Sequence, residues 1–268
     1  MRRTLLALAP LVLCSYTATG AGYTLTDSDE PGGPGFMWDD ISVTGTAVPF
    51  GSVDDAQVTV AVPFAFTYFG TSYSAVSICT NGFLQFGGAS ISAINSGIPD
   101  NAPPNGIVAV FWDDLFLGAG FTVRYETLGM APTRRFVVSW NNVTDLVTST
   151  SALTFQVALY EGSNTIRMQY QTMTGPAVTS GTVGIENAAG DQGLLYLQNG
   201  TPAGNAVGAG LAIQYVGGGG PPPPPPQPTD PDDGPDHTIN CSQSAPATRS
   251  VAFLALVFLL AGILIRIR

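Results

Sequence analysis

The sequence predicts an all-β protein: an antiparallel β-sandwich of about a dozen strands, followed by a C-terminal hydrophobic helix. Three observations carry that expectation. Between Tyr23 and Val216, short runs rich in Val, Ile, Thr, Phe and Tyr are separated by clusters of Gly, Asn, Asp and Pro, the alternation of strands and turns. No window in that span repeats its apolar residues at a helical period. Beyond it, a glycine–proline tract sets apart one unbroken apolar run.

The chain begins with charges at Arg2 and Arg3, an apolar run from Leu5 to Leu13, and small residues at Ala18, Gly20 and Ala21. That order reads as a secretory signal peptide over residues 1–21, cleaved after Gly20 or Ala21. Cys14 follows Leu13, where a lipoprotein signal would need a small residue, so lipid attachment there is disfavoured.

The sandwich is expected over residues 23–216. Ile41–Val48 and Gln57–Val62 alternate in polarity, and the aromatic run Phe64–Phe69 follows. Ala75–Cys79 and Phe83–Phe86 flank Asn81-Gly82, a hairpin dipeptide whose two residues favour positive φ. Ile107–Trp112 is apolar on both faces, as a central strand covered from both sides would be. Then come Phe121–Leu128, Arg135–Val143 and Leu153–Tyr160, with Glu161–Asn164 turning the chain into Thr165–Met173. Thr182–Glu186, Leu194–Gln198 and Leu211–Val216 complete the set.

Residues 217–249 read as a stalk. Gly217 to Gly220 are flexible, Pro221 to Pro226 favour an extended left-handed helix, and Asp230, Asp232, Asp233 and Asp236 keep the rest hydrated. Residues 250–268 read as a membrane anchor or sorting tail. Val251 to Ile265 is apolar throughout and flanked by Arg249, Arg266 and Arg268. As a helix it would reach about 22 Å, against a hydrocarbon core of about 30 Å, so it anchors only by thinning the bilayer or borrowing its flanks.

The net charge is −10, and all nine basic residues are arginine. From residue 23 to 216, fifteen acidic residues face four arginines, a balance that repels nucleic acid and anionic lipid. A nucleic-acid partner is excluded on that ground. After signal removal only Cys79 and Cys241 remain, one in a strand and one in the stalk. No disulfide is expected, so the core must supply the stability.

Several blocks resemble a known family. Phe64-Ala-Phe-Thr-Tyr-Phe-Gly-Thr-Ser-Tyr73, then Val76-Ser-Ile-Cys-Thr-Asn-Gly-Phe-Leu-Gln-Phe86, is similar to the opening of nidogen-like extracellular domains. Asn105-Gly-Ile-Val-Ala-Val-Phe-Trp-Asp-Asp-Leu115 with Val123-Arg-Tyr125 resembles their Phe-Trp-x-Asp block. Arg135–Val143, Thr154–Gly162 and Gly184–Asn187 look most like related β domains of large bacterial secreted proteins. The resemblance spans Phe36 to Val216. It implies an extracellular, adhesion-associated module with no catalytic residues to carry over. The tail resembles bacterial tripartite sorting signals, with Cys241 as the one distinctive residue ahead of the apolar run.

The residues themselves offer little to catalysis. His237 is the sole histidine and lies in the stalk, there is no lysine, and no nucleophile elbow, phosphate loop or Cys/His metal spacing occurs. Carboxylates are the remaining chemistry. Glu126, Glu161 and Glu186 lie in or beside strands, and solvated positions are the simpler account of them. Three aspartate pairs, Asp39–Asp40, Asp54–Asp55 and Asp113–Asp114, invite a calcium reading. Asp113 and Asp114 close the most buried strand and are the candidate metal site, with turn capping as the plainer role. Trp112, taken to share a strand face with Val108 and Val110, and Trp140, following Val138, are expected in the core; Trp38 is undetermined. Asn142, Asn199 and Asn240 open glycosylation patterns that a bacterial source leaves idle.

The expected function is a non-catalytic surface interaction or adhesion module, exported to a bacterial envelope and held by its tail. Its partners would be the membrane and an extracellular protein or glycan, with no cofactor except calcium. The alternative is a carbohydrate-binding or glycoside-hydrolase-like module using rim carboxylates.

Overall fold

The computed structural model describes residues 18–20, 22–118, 120–202 and 205–217. The apolar start, Ala21, residues 218–249 of the stalk with His237 and Cys241, and the C-terminal helix therefore lie outside the described residues, while Gly217, expected to open the stalk, ends the last strand instead by pairing with Tyr23. Among the described residues, no helix is long and apolar enough to cross a membrane.

The chain forms β1 (Ala18–Gly20), β2 (Tyr23–Asp27), β3 (Thr46–Ala47), β4 (Gln57–Tyr68), β5 (Thr71–Cys79), β6 (Phe83–Gln85), β7 (Ile107–Trp112) and β8 (Leu115–Phe116). It continues with β9 (Thr122–Leu128), β10 (Arg135–Asp145), β11 (Ala152–Tyr160), β12 (Ile166–Thr174), a 3₁₀ turn over Pro176–Thr179, β13 (Thr182–Glu186), β14 (Gly193–Gln198) and β15 (Ala212–Gly217). One sheet has the order β1-β2-β15-β12-β11-β10-β9-β3, with β8 pairing β10 off that path; the other is β14-β13-β7-β6-β5-β4. The pairings within both are antiparallel. β1 pairs with Tyr23–Leu25 of β2, so cleavage after Gly20 or Ala21 would remove it and leave β2 at the edge.

Alternation explains the layers. In β4 every second residue from Val60 to Tyr68 is buried, while in β10 Phe136, Val138 and Trp140 enter the shared core. Two polar pins cross that core. The Trp140 indole N–H donates to Cys79 O at 3.0 Å, and the Tyr170 hydroxyl to Val110 O at 2.7 Å. Each satisfies a polar atom that would otherwise be stranded in an apolar interior, and together they fix one sheet over the other.

Both sheets are also covered on their outer faces, each by a segment without regular structure. Residues 28–45, the first strap, cross the nine-stranded sheet. Ser28 is bonded to Ala212 on β15, Met37 N–H to Gln169 on β12, Asp39 to Arg135 on β10, and Thr44 to Glu126 on β9. Under it, Ile41 packs on Val137 and Ala158. Residues 86–106, the second strap, cross the six-stranded sheet, where Ile98 joins Cys79, Phe83, Ile107, Ala109 and Trp112 in a separate cluster. This second layer is why β7 is buried at every position.

Three expectations change. Ile41–Val48 is not a strand: only Thr46–Ala47 pairs, and Ile41 is an anchor of the first strap. Trp112 is buried but does not share the face of Val108 and Val110. Val110 N–H and Phe111 N–H both donate to Gly82 O, at 3.1 and 3.0 Å, and the register against β13 slips between Thr182 and Gly184. That bulge adds a residue, so Phe111 enters the inter-sheet core and Trp112 turns out under the second strap. In the Asn81-Gly82 turn only Gly82 has positive φ, at 76°. The glycine is needed because a Cβ there would stand 2.0 Å from Phe111 O.

Candidate functional site

Asp113 and Asp114 follow β7, as expected, but they do not act as a pair. Asp113 accepts the Asp114 backbone N–H at 2.9 Å and the Ser180 hydroxyl at 2.5 Å. Asp114 instead meets Asp54 and Asp55, one oxygen of each lying within 4.8 Å of the others. Asn81, wholly buried, ties this group together: its amide donates to Asp55 at 2.8 Å and its carbonyl accepts Leu115 N–H at 3.1 Å. One oxygen of Asp54 and one of Asp114 are shielded and have no hydrogen-bond partner.

Burial, then repulsion from Asp54, Asp55 and Asp113, pushes the Asp114 carboxyl above its ordinary value. Asp113 is also raised, chiefly by burial, against the bonds from Ser180 and Asp114. Of the candidate metal residues, Asp114 is therefore placed with Asp54 and Asp55 to hold a cation, whereas Asp113 is committed to Ser180. The Asp39–Asp40 pair is separate: Asp39 accepts two bonds from Arg135 and Asp40 caps Ser42 N–H.

Beside these carboxylates a cavity of about 270 Å³ is lined by Asp113, Asp114, Asp145, Thr148, Pro176 and Ser180 among others. Asp145 is a turn cap. Burial opposes its ionisation, but bonds from Ser151 and from the Thr148 backbone and hydroxyl outweigh that and bring it to about 2.

The three glutamates are engaged separately. Glu161 holds Arg134 through two side-chain bonds of 2.8 and 2.7 Å, which lower its carboxyl to about 2. Glu126 accepts the Thr44 hydroxyl. Glu186, expected at a solvated strand end, is instead only 1 % exposed, because residues 98–100 of the second strap lie over it. Sequence alone gives no sign of that burial, since the covering segment is remote and aperiodic. Cys79 is free and buried, and burial pushes its thiol up to about 12, so it is inert.

The aromatic side chains divide cleanly. Trp112 and Trp140 are buried. Trp38 is half-buried and stacks on Phe36 at 6.3 Å between ring centroids, with Phe36 37 % and Met37 68 % exposed between them and solvent. This apolar segment rides on the first strap, beside Asp39 and Asp40.

A family model described as NIDO related matches residues 33–211. No curated protein and no solved structure matches the chain. The matched span begins in the first strap and ends at Leu211, one residue before β15, so it takes in most of the first strap, the whole of the second and most of both sheets.

Proposed function

The chain belongs to the NIDO-related family, whose domains are extracellular interaction modules, and from that premise we propose that it is a non-catalytic adhesion domain displayed on a cell envelope by its C-terminal tail. The observation that carries the reading is the Phe36-Met37-Trp38 segment. Large apolar side chains held at the surface on a strap pinned through Gln169 and Arg135 are the composition of a contact surface. The arrangement of the carboxylates supports the non-catalytic part. Glu161, Asp145 and Asp113 are each bound to a neighbour, and Glu186 is covered. Cation binding by Asp54, Asp55 and Asp114 would brace the domain rather than activate a substrate.

Replacing Phe36 and Met37 by Ser and Trp38 by Ala tests the contact surface. Binding of the domain to intact cells should fall at least about tenfold, with the circular dichroism unchanged. Unchanged binding would remove this segment from the interface. A second reading, a carbohydrate-binding module, is favoured by the stacked Phe36–Trp38 pair lying beside two aspartates. Binding to an immobilised glycan panel that disappears in the same variant would select it, and polysaccharide hydrolysis lost in D113N would refute the non-catalytic reading. For display, deleting Arg249 to Arg268 should release the folded domain into the medium; retention in the membrane fraction would refute the anchor.

A further inference from the structure

The second strap lands on a seat made of glycines. A Cβ on Gly193 would stand 2.5 Å from Ile98 Cγ2, and one on Gly184 would stand 3.0 Å from Ile98 Cδ1. Gly190, at φ 70°, lies under the next part of the strap, where a Cβ would come within 2.3 Å of Asp100 O. Below this stretch is Glu186. Its Oε2 accepts the Asp100 N–H at 2.6 Å.

No cation answers that carboxylate: the two salt bridges among the described residues are Arg134–Glu161 and Arg135–Asp39. The titratable groups around it offer no compensation either. Asp100, on the strap, carries the same charge. Tyr68, from β4, directs its hydroxyl to the backbone of Ile107 and Glu186, and burial keeps the phenol neutral. Asp191, in the turn after β13, is bonded to Asn187. β14 sets Gly193 opposite Glu186, and β7 is apolar throughout.

We propose that Glu186 is a proton-operated latch for the second strap: protonated, it lets residues 98–105 close on the six-stranded sheet, and ionised, it loosens them. Burying an unpaired carboxylate disfavours the ionised form, Asp100 adds repulsion, and the one N–H bond only partly offsets them. The carboxyl is accordingly pushed up to about 7. With the strap open and Glu186 in water it returns to the ordinary range near 4.5. The closed state thus holds its proton more tightly. Closure is fully favoured below about pH 4.5, weakens as pH rises, and reaches its low plateau above about pH 7.

Opening would bare the apolar cluster of Cys79, Phe83, Ile107, Ala109 and Trp112 that Ile98 now covers. The domain would then show a second apolar surface at neutral pH and hide it in acid. This inference does not depend on the contact at Phe36–Trp38, which lies on the other sheet.

Hydrogen exchange of residues 86–106 in the full-length chain in detergent, corrected for intrinsic pH dependence, tests the latch. Between pH about 5 and about 8 the opening equilibrium should rise about 10- to 100-fold in the native chain and stay flat in E186Q. Equal protection at both pH values in the native chain, or an unchanged pH response in E186Q, overturns the latch. A site-resolved ¹³C titration of the Glu186 carboxyl keeps the test open if E186Q does not fold. A midpoint above about 6 supports the latch and one near about 4.5 overturns it.

Discussion

The two straps each combine one buried isoleucine with hydrogen bonds to the sheet, but only the first carries an ion pair. The first lies over a face that sets Val137 and Ala158 among the buried Gln156 and Gln169, and the second lies over the apolar cluster of Cys79, Phe83, Ile107, Ala109 and Trp112. The first is held by polar bonds from the sheet, above all the paired contacts of Arg135 with Asp39, with Ile41 buried beneath it, and it leaves Phe36, Met37 and Val43 exposed. The second is held from below, by Ile98 on its glycine seat and by the Trp112 indole donating to Ser92 O at 2.8 Å. The second strap buries Ile98 and is tied by neutral hydrogen bonds, while Ile91 and Ile94 stay exposed and the covered Glu186 carboxylate is the element that can be switched.

The largest expected effect follows from that difference. Trp112→Ala should cost about 3–5 kcal/mol by chemical denaturation, since the ring is the floor beneath the second strap. A loss below about 1 kcal/mol would mean that the strap is not fastened from below. On the first strap, Arg135→Ala should cost only about 1–2 kcal/mol, because the pair is partly exposed. Arg135→Lys should recover little of it, since an ammonium cannot make both bonds to Asp39. Equal costs for Trp112→Ala and Arg135→Ala would erase the contrast between the straps.

A third measurement sharpens it. Asn81 donates both to Asp55 and to Ile91 O of the second strap, so a cation at Asp54, Asp55 and Asp114 would tighten that strap alone. Calcium should raise the melting temperature by a few degrees in the native chain and not in the D54N/D114N variant. An unchanged melting temperature in excess calcium would leave these aspartates as turn residues. Without calcium the linkage has a definite sign. The raised Asp114 carboxyl binds its proton more tightly in the fold than in the unfolded chain. The Asp114 contribution to stability should therefore grow as pH falls through the carboxylate range, opposite in sign to those of Asp145 and Glu161, and the difference in stability between the native chain and D114N isolates it. The smallest effect is expected at Val43, 87 % exposed, where Val43→Ser should change stability by no more than about 0.5 kcal/mol.

Much of the sandwich was legible because periodicity reports burial. Thr182–Glu186 was readable to the residue, and Ile107–Trp112 showed by its unbroken apolarity that something lies on both sides of it. What covers it was not legible, since a strap has no period and its anchors, Ile41 and Ile98, look like any other isoleucine. The bulge at Phe111 was hidden for a related reason: alternation counts residues, and one inserted residue reverses the count without altering composition. The acidic site was half readable. The aspartate pairs stand out along the chain, but the meeting of Asp114 with Asp54 and Asp55, sixty and fifty-nine positions away, depends on the sheet and on Asn81. In the sequence Asn81 is a turn residue ahead of Gly82, whereas its side chain is what joins the two carboxylate segments.

β15 has a mechanical consequence. It pairs with β2 through Ile213 to Gly217 and with β12 through Ala212 to Tyr215, and the chain leaves it at Gly217 toward the tail. A pull on the tail directed along this strand would strain both ladders in shear, so their hydrogen bonds would resist together rather than break in succession. A strand at the sheet edge would peel. Tethered by its tail as proposed, the domain would withstand drag, and the force needed to extract β15 would depend on the pairing with β2 as much as on that with β12.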